Sequence, residues 1–104
     1  MNKYLKYFIE DIDLMELQFQ SLKLYHEVLN DKETLSSLER DLQDGYKMSD
    51  VEIEYEEISI HLNNEQTILF LKFILRICKD EIGYYKTQYS INDESFVDDF
   101  LIIY

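Results

Sequence analysis

Several residue types are scarce or missing from this chain of 104 residues, and each scarcity excludes certain classes of protein or kinds of binding site. The sequence has no proline and two glycines, which excludes a collagen-like or linker-rich chain. Phosphate-binding loops need clustered glycines at the start of a helix, whereas Gly45 and Gly83 are isolated. The known nucleotide-binding motifs are therefore absent from the sequence.

Cysteine and histidine are also rare. Cys78 is the only cysteine, which excludes an internal disulfide and fits a reducing compartment. Its neighbours, LFLKFILRICKD, are apolar, so we expect an inert, buried thiol. His26 and His61 are far apart in sequence, and zinc sites need several His or Cys at close spacing. No catalytic residue, metal site or cofactor is predicted, and the chain is not expected to be an enzyme.

Basic residues are few, with 10 Lys and Arg against 22 Asp and Glu, and the net charge is −12. Nucleic acids and anionic membranes are bound through basic patches, so direct binding to either is not expected. The apolar run at residues 68–71 is broken by Lys72 and is too short to span a bilayer. The first residues lack the features of a signal peptide. These observations predict a cytoplasmic protein.

Apolar residues make up 46% of the sequence, enough to bury a core, and the length predicts a single domain over residues 1–104. Residues 3–29 carry an apolar stripe at helical spacing, which predicts a long amphipathic helix. The stripe is formed by Leu5, Phe8, Ile12, Met15, Phe19, Leu22, His26 and Leu29. We expect it to face the core, with His26 as a hydrogen-bonded core residue. The alternative is a homodimer seam.

Three further segments have helical character. Residues 31–44 predict a short second helix, with Gly45 in the left-handed conformation at its end. Residues 65–82 are apolar on nearly every side and predict a buried central helix. The C-terminal segment fits either a final helix or a strand ending in FLIIY, which would pair with residues 51–62.

The segment SDVEIEYEEISIHLNN, residues 49–64, fits two structures. Apolar residues alternate as in a strand, but the alternation slips by one at Glu56-Glu57, as at a bulge or a tight turn. Val51, Tyr55 and Ile58 are also correctly spaced for a helix. The β-branched residues favour the strand. Together these segments predict an α+β fold that is mainly helical with a small sheet, the alternative being an all-α helical bundle.

An acidic row accompanies this strand. Alternate residues of a strand lie about 6.6 Å apart on one face, so the carboxylates would form a continuous line. They are Asp50, Glu52, Glu54, Glu56 and Glu57. Such a row is either a solvated face that discourages aggregation or a recognition surface for a basic partner.

The second interpretation leads to the functional hypothesis. We expect a small non-enzymatic module that inhibits or neutralises a basic protein target, acting as a nucleic-acid mimic. The target would be a nuclease or another nucleic-acid-binding protein, and the module an immunity protein or inhibitor. The alternative is a structural or regulatory homo-oligomerisation module that uses the apolar stripe of helix 3–29.

Overall fold

The computed structural model describes residues 13–62, 67–91 and 95–104. Within these ranges, two helices come first, followed by a 3-10 turn: α1 is Leu14–Leu29, α2 is Lys32–Asp41 and the turn is Met48–Asp50. Four strands follow, β1 at Glu52–Leu62, β2 at Thr67–Ile77, β3 at Asp80–Ser90 and β4 at Phe96–Ile103. Each strand pairs antiparallel with its neighbour in sequence, which gives a meander in the order β1-β2-β3-β4.

The predicted fold class is wrong. The four strands have 11, 11, 11 and 8 residues, whereas the two helices have 16 and 10. Neither a mainly helical domain nor an all-α bundle describes this architecture. A four-stranded antiparallel sheet is its largest element, and the helices lie on one face of it.

Neither described helix has the length and apolar character that crossing a bilayer requires.

Strand β1 confirms the strand interpretation of the acidic segment. Its register with β2 shifts between Tyr55 and Glu57, which leaves Glu56 as the extra residue of a bulge. The bulge compensates for the slip in alternation. Ile53 and Tyr55 before it, and Ile58 after it, therefore all pack against the core side of the sheet.

The buried central helix predicted over residues 65–82 is instead strand β2 and the start of β3 from residue 67 onward, while residues 65 and 66 lie outside the described residues. Leu69, Leu71, Phe73 and Leu75 alternate on the core face and are almost completely buried. Apolar side chains also occupy the other face, so the run shows no clear period of two. A short apolar run of this kind fits a buried strand as well as a buried helix.

The turn between β2 and β3 corrects the prediction for Cys78. Cys78 and Lys79 form a two-residue loop in which both have positive φ, 51° and 74°. Positive φ at both positions is the signature of a type I′ turn, whose twist matches that of the flanking strands. The turn places Cys78 on the surface, where it is a free, exposed cysteine and not a core residue.

Helix α1 packs on the sheet through a face that overlaps the predicted one only in part, because Leu22 and Leu29 of the stripe are partly buried against the core. Leu17, Ser21 and Tyr25 are its buried residues, whereas Met15 and Phe19 are 80% and 73% exposed. His26 is also exposed and is not the core residue expected from the stripe. Leu5, Phe8 and Ile12, the first residues of the predicted stripe, lie outside the described residues.

A cluster of buried hydroxyl groups fixes α1 to β3. The Ser21 hydroxyl donates to the carbonyl of Leu17 at 2.8 Å. It also lies 2.8 Å from the Thr87 hydroxyl and 2.8 Å from the Tyr89 hydroxyl. Because Ser21 has one proton, given to Leu17, the other two hydroxyls can both donate to its oxygen. This arrangement satisfies three polar groups inside the core.

The short second helix is confirmed with slightly different bounds. Asp31 caps α2 by accepting hydrogen bonds from the backbone N–H groups of Glu33 and Thr34. Gly45 has the predicted left-handed conformation, with φ of 72°. The Glu39 carboxylate accepts a hydrogen bond from the N–H of buried Met48, which ties α2 to the 3-10 turn.

The C-terminal segment is a strand, but its predicted pairing is wrong. Strand β4 pairs with β3 and not with residues 51–62. Gly83 allows the backbones of β3 and β4 to approach closely, because a Cβ atom there would collide with the carbonyl oxygen of Ile102. Strands β1 and β4 are therefore at opposite edges of the sheet.

Candidate interaction surface on the outer face of the sheet

The side of the sheet away from the helices, here called the outer face, carries most of the predicted acidic row. Side chains along a strand alternate between faces, and Ile53 and Tyr55 point to the core side. Glu52 and Glu54 therefore point to the outer face, and both are exposed. Glu57 is opposite Lys72 of β2 and is exposed as well.

Asp50 does not belong to this row. Its carboxylate accepts a hydrogen bond of 2.9 Å from the backbone N–H of Lys47, in the capping box of the 3-10 turn. The residue ends the turn from which β1 begins. Its carboxylate is engaged by the backbone, so Asp50 acts as a local cap and the predicted row shortens to four glutamates.

Two of these glutamates are paired with bases of β2. Lys72 Nζ lies 3.2 Å from an oxygen of Glu56, and Arg76 Nε lies 3.4 Å from an oxygen of Glu54. The hydrogen bond with Glu56 raises the pKa of the Lys72 ammonium against an opposing effect of burial, and the charges of Glu56 and Glu57 add to the rise. These cross-strand pairs could not be anticipated from the sequence, because β2 was predicted to be a helix.

Glu52 is opposite Arg76 and Glu57 is opposite Lys72 in the strand register, but neither glutamate forms an ion pair with its neighbour. Within residues 13–62, 67–91 and 95–104, neither carboxylate lies within 4.0 Å of a basic nitrogen. Both belong to β1, and no further strand pairs with this edge in the same ranges. The free backbone edge and the two unpaired carboxylates therefore occur on the same strand.

Aromatic rings and lysines occupy the middle of the outer face. Lys86 Nζ lies 5.6 Å from the ring centroid of Phe70 and 5.7 Å from that of Tyr84. Lys72 Nζ is 5.4 Å from the same Tyr84 ring. These cation–π contacts give the cations a partner other than a carboxylate. No sequence motif indicates this patch, because its residues come from two segments that were not predicted to be paired strands.

A cleft of about 350 Å³ lies at the turn end of the sheet, beside Cys78. Tyr46 faces this cleft. Its phenol pKa is raised first by a side-chain hydrogen bond with Cys78 and then by the negative charge of the Cys78 thiolate form. The acidic side chains in its lining are Asp41, Asp44, Asp80 and Glu81. The cleft is therefore a second acidic region, assembled from two distant parts of the sequence.

The arrangement offers little recognisable chemistry for catalysis. Among the residues that the structure describes, the buried hydroxyls of Ser21, Thr87 and Tyr89 form hydrogen bonds with one another and with the backbone, and none with a His, Asp or Glu side chain. In the described ranges, no three His, Cys, Asp or Glu side chains are grouped so that they could hold a metal ion. The expectation that the protein is not an enzyme stays a prediction.

Compared with models of known protein families, with curated proteins and with solved structures, the chain matches none of them. What the protein binds must therefore be inferred from its own surface.

Proposed function

We propose that the protein is a non-enzymatic binding module that takes up a basic strand of a target protein along the free edge of β1. The observation that carries this proposal is the coincidence, within the described ranges, of an open strand edge with the unpaired carboxylates of Glu52 and Glu57. An added strand uses main-chain hydrogen bonds for affinity and its alternate side chains for specificity.

Charge selects the partner of this edge. Directly opposite residues on neighbouring strands have Cβ atoms about 4.5–5.5 Å apart, so like charges there repel and opposite charges attract. A second β1 strand would add glutamates beside glutamates, which disfavours pairing between identical edges. Lysine or arginine on the outer face of an added strand would instead lie beside Glu52 and Glu57. The edge therefore rejects its own copy and favours a basic segment.

The other face of the same edge defines the rest of the pattern. Ile53, Tyr55, Ile58 and Ile60 are partly buried on the core side of β1. Apolar side chains on that face of an added strand would extend the core. We therefore expect a target segment in which basic and apolar residues alternate. In a nuclease such basic residues also hold phosphates, so the bound module would compete with nucleic acid.

The test is the binding of a peptide of four Lys-Val repeats, monitored through the ¹⁵N chemical shifts of the protein's backbone amides. We expect the largest shifts within β1. Replacing Glu52 and Glu57 with Gln should weaken binding about fivefold or more at low salt and flatten its salt dependence, because exposed charges are screened within about 8–10 Å at physiological ionic strength. The matched control, Glu27→Gln with Glu33→Gln, removes the same charge from the helices and should change affinity by less than about twofold.

A second peptide separates strand pairing from simple charge attraction. Four lysines followed by four valines have the same composition and net charge but no alternation. This peptide should bind more weakly than the alternating one. Equal affinity for both peptides, or shifts centred outside β1, would contradict recognition at this edge. Inhibition of a purified basic nuclease, relieved by added nucleic acid, would extend the result to the proposed class of target.

A further inference from the structure

The outward face of α1 carries two large apolar side chains that the core does not use. Met15 is 80% exposed and Phe19 is 73% exposed, while the opposite face of the helix packs on the sheet. Residues four apart are neighbours on a helix surface, so the two side chains form one patch. Single exposed apolar residues need no explanation, but adjacent ones on one helix face mark interaction sites.

The patch belongs to a heptad pattern. Met15, Phe19, Leu22 and His26 follow one another at spacings of 4, 3 and 4, so they occupy positions d, a, d and a. Leu22 is partly buried and His26 is exposed. Glu16 and Lys23 come one residue after the two d positions, which makes both of them e positions. Both are exposed, and in the part of the chain that the structure describes neither takes part in an ion pair.

We propose that this face, formed by Met15, Phe19, Leu22 and His26, binds the α1 face of a second copy of the chain in an antiparallel homodimer. A two-fold axis that stacks Phe19 on the partner's Leu22 also stacks Met15 on the partner's His26. In an antiparallel helix pair, e positions lie beside e positions. Glu16 therefore lies beside the partner's Lys23, and the symmetry repeats this ion pair on the other side.

Charge complementarity selects the antiparallel orientation. In a parallel pair each e position would lie beside a g position of the partner. The g positions here are Gln18 and Tyr25, which carry no charge, and Tyr25 is buried against the sheet. Only the antiparallel arrangement uses both charged residues, and it does so with opposite signs.

This dimer is independent of the proposed function. The glutamates of β1 are on the outer face of the sheet, whereas α1 lies on the core side and exposes Met15, Phe19 and His26 to solvent. Association through α1 would therefore leave both β1 edges free. Loss of one interaction does not imply loss of the other, and the two can be measured separately.

The test is sedimentation equilibrium of the full chain from about 5 to 500 μM. We expect a monomer–dimer equilibrium that Phe19→Gln shifts to monomer. The core should be unaffected, because Phe19 is 73% exposed. Leu62→Gln is the matched control, since Leu62 is 75% exposed but lies on β1, and it should leave the equilibrium unchanged.

Charge reversal tests the orientation. Lys23→Glu replaces two attractive pairs with two repulsive ones and should weaken the dimer about tenfold. Adding Glu16→Lys to that variant restores opposite charges at both pairs and should recover most of the loss. A monomer throughout the concentration range would overturn the proposal. A dimer indifferent to Phe19→Gln, or one that the double reversal does not rescue, would overturn it equally.

Discussion

Removing the Ser21 hydroxyl should destabilise the protein far more than the loss of one small polar group suggests. Ser21 is completely buried and its oxygen takes part in hydrogen bonds with Leu17, Thr87 and Tyr89, each 2.8 Å long. In Ser21→Ala the Tyr89 hydroxyl still has the Leu17 carbonyl at 3.4 Å. The Thr87 hydroxyl loses its 2.8 Å hydrogen bond with Ser21 and keeps only the Tyr89 hydroxyl as a partner.

The magnitude follows from these contacts. A typical intramolecular hydrogen bond contributes about 1 kcal/mol net, and a buried polar group left without a partner costs about 1–3 kcal/mol. The hydrogen bond to the Leu17 carbonyl disappears together with its donor, the Ser21 hydroxyl. The lost bond of the Tyr89 hydroxyl is partly replaced by its contact with the same carbonyl. We therefore expect Ser21→Ala to lower the free energy of unfolding by about 2–3 kcal/mol, measured by urea denaturation followed by circular dichroism.

Two controls isolate the cause. Ser36→Ala removes a serine hydroxyl from the exposed surface of α2 and should change stability by less than about 0.5 kcal/mol. Thr87→Val in the Ser21→Ala background removes, at nearly constant volume, the hydroxyl that has lost its bond with Ser21, and it should restore part of the stability. A loss below about 1 kcal/mol for Ser21→Ala, or no recovery in the double variant, would refute the assignment of this cluster as the polar anchor of α1.

Three further predictions concern the backbone and the buried phenols. Gly83→Ala should destabilise by about 3 kcal/mol, because its Cβ would strike the β4 backbone, whereas Gly45→Ala, with open space around it, should cost about 1 kcal/mol for its positive φ. Replacing Cys78-Lys79 with Asn-Gly should increase the free energy of unfolding by about 1 kcal/mol, seen as a higher urea midpoint. Both positions have positive φ, which Asn and Gly adopt more readily. Burial raises the pKa of Tyr25 from 10.0 to about 12. The contribution of this phenol to the free energy of unfolding is therefore complete below pH 10 and should be lost as the pH rises through 12. Tyr25→Phe should reduce that alkaline loss in melts at about pH 9–12, and it should also stabilise the neutral protein, because the Tyr25 hydroxyl is buried without a hydrogen-bond partner among the described residues.

The strand β1 could be predicted from sequence because its two faces differ in chemistry. Glutamate alternates with isoleucine and tyrosine, and the slip in that alternation at Glu56-Glu57 indicates a bulge or a turn at the position where the bulge lies. Strand β2 could not be predicted in this way, because apolar residues occupy both of its faces. Lys72 and Arg76 are four apart, which suits the polar side of a helix as well as one face of a strand. The tertiary pairing with β3 decided the structure.

The orientation of α1 was predicted wrongly for a related reason. Beside the predicted stripe, Leu14, Leu17, Leu24 and Val28 form a second apolar stripe, and hydrophobic periodicity cannot say which of the two meets the core. The buried face contains Ser21, which a pattern based on hydrophobicity does not count. Its burial depends on Thr87 and Tyr89, 66 and 68 residues further along the chain. Because no local pattern reveals that pairing, Met15 and Phe19 were assigned to the core.

That same separation has a consequence for the order of folding. All sheet pairings connect neighbouring strands, and the β2–β3 hairpin needs only a two-residue turn to begin. The contact between Ser21 and β3 must instead close a loop of more than sixty residues, and closure entropy grows with loop length. We expect the hairpins to be largely formed in the folding transition state and α1 to dock after it. Contacts made after the transition state control how fast a protein unfolds, not how fast it folds. The Ser21 cluster therefore sets the lifetime of the native state, and it contributes little to the rate at which that state is reached.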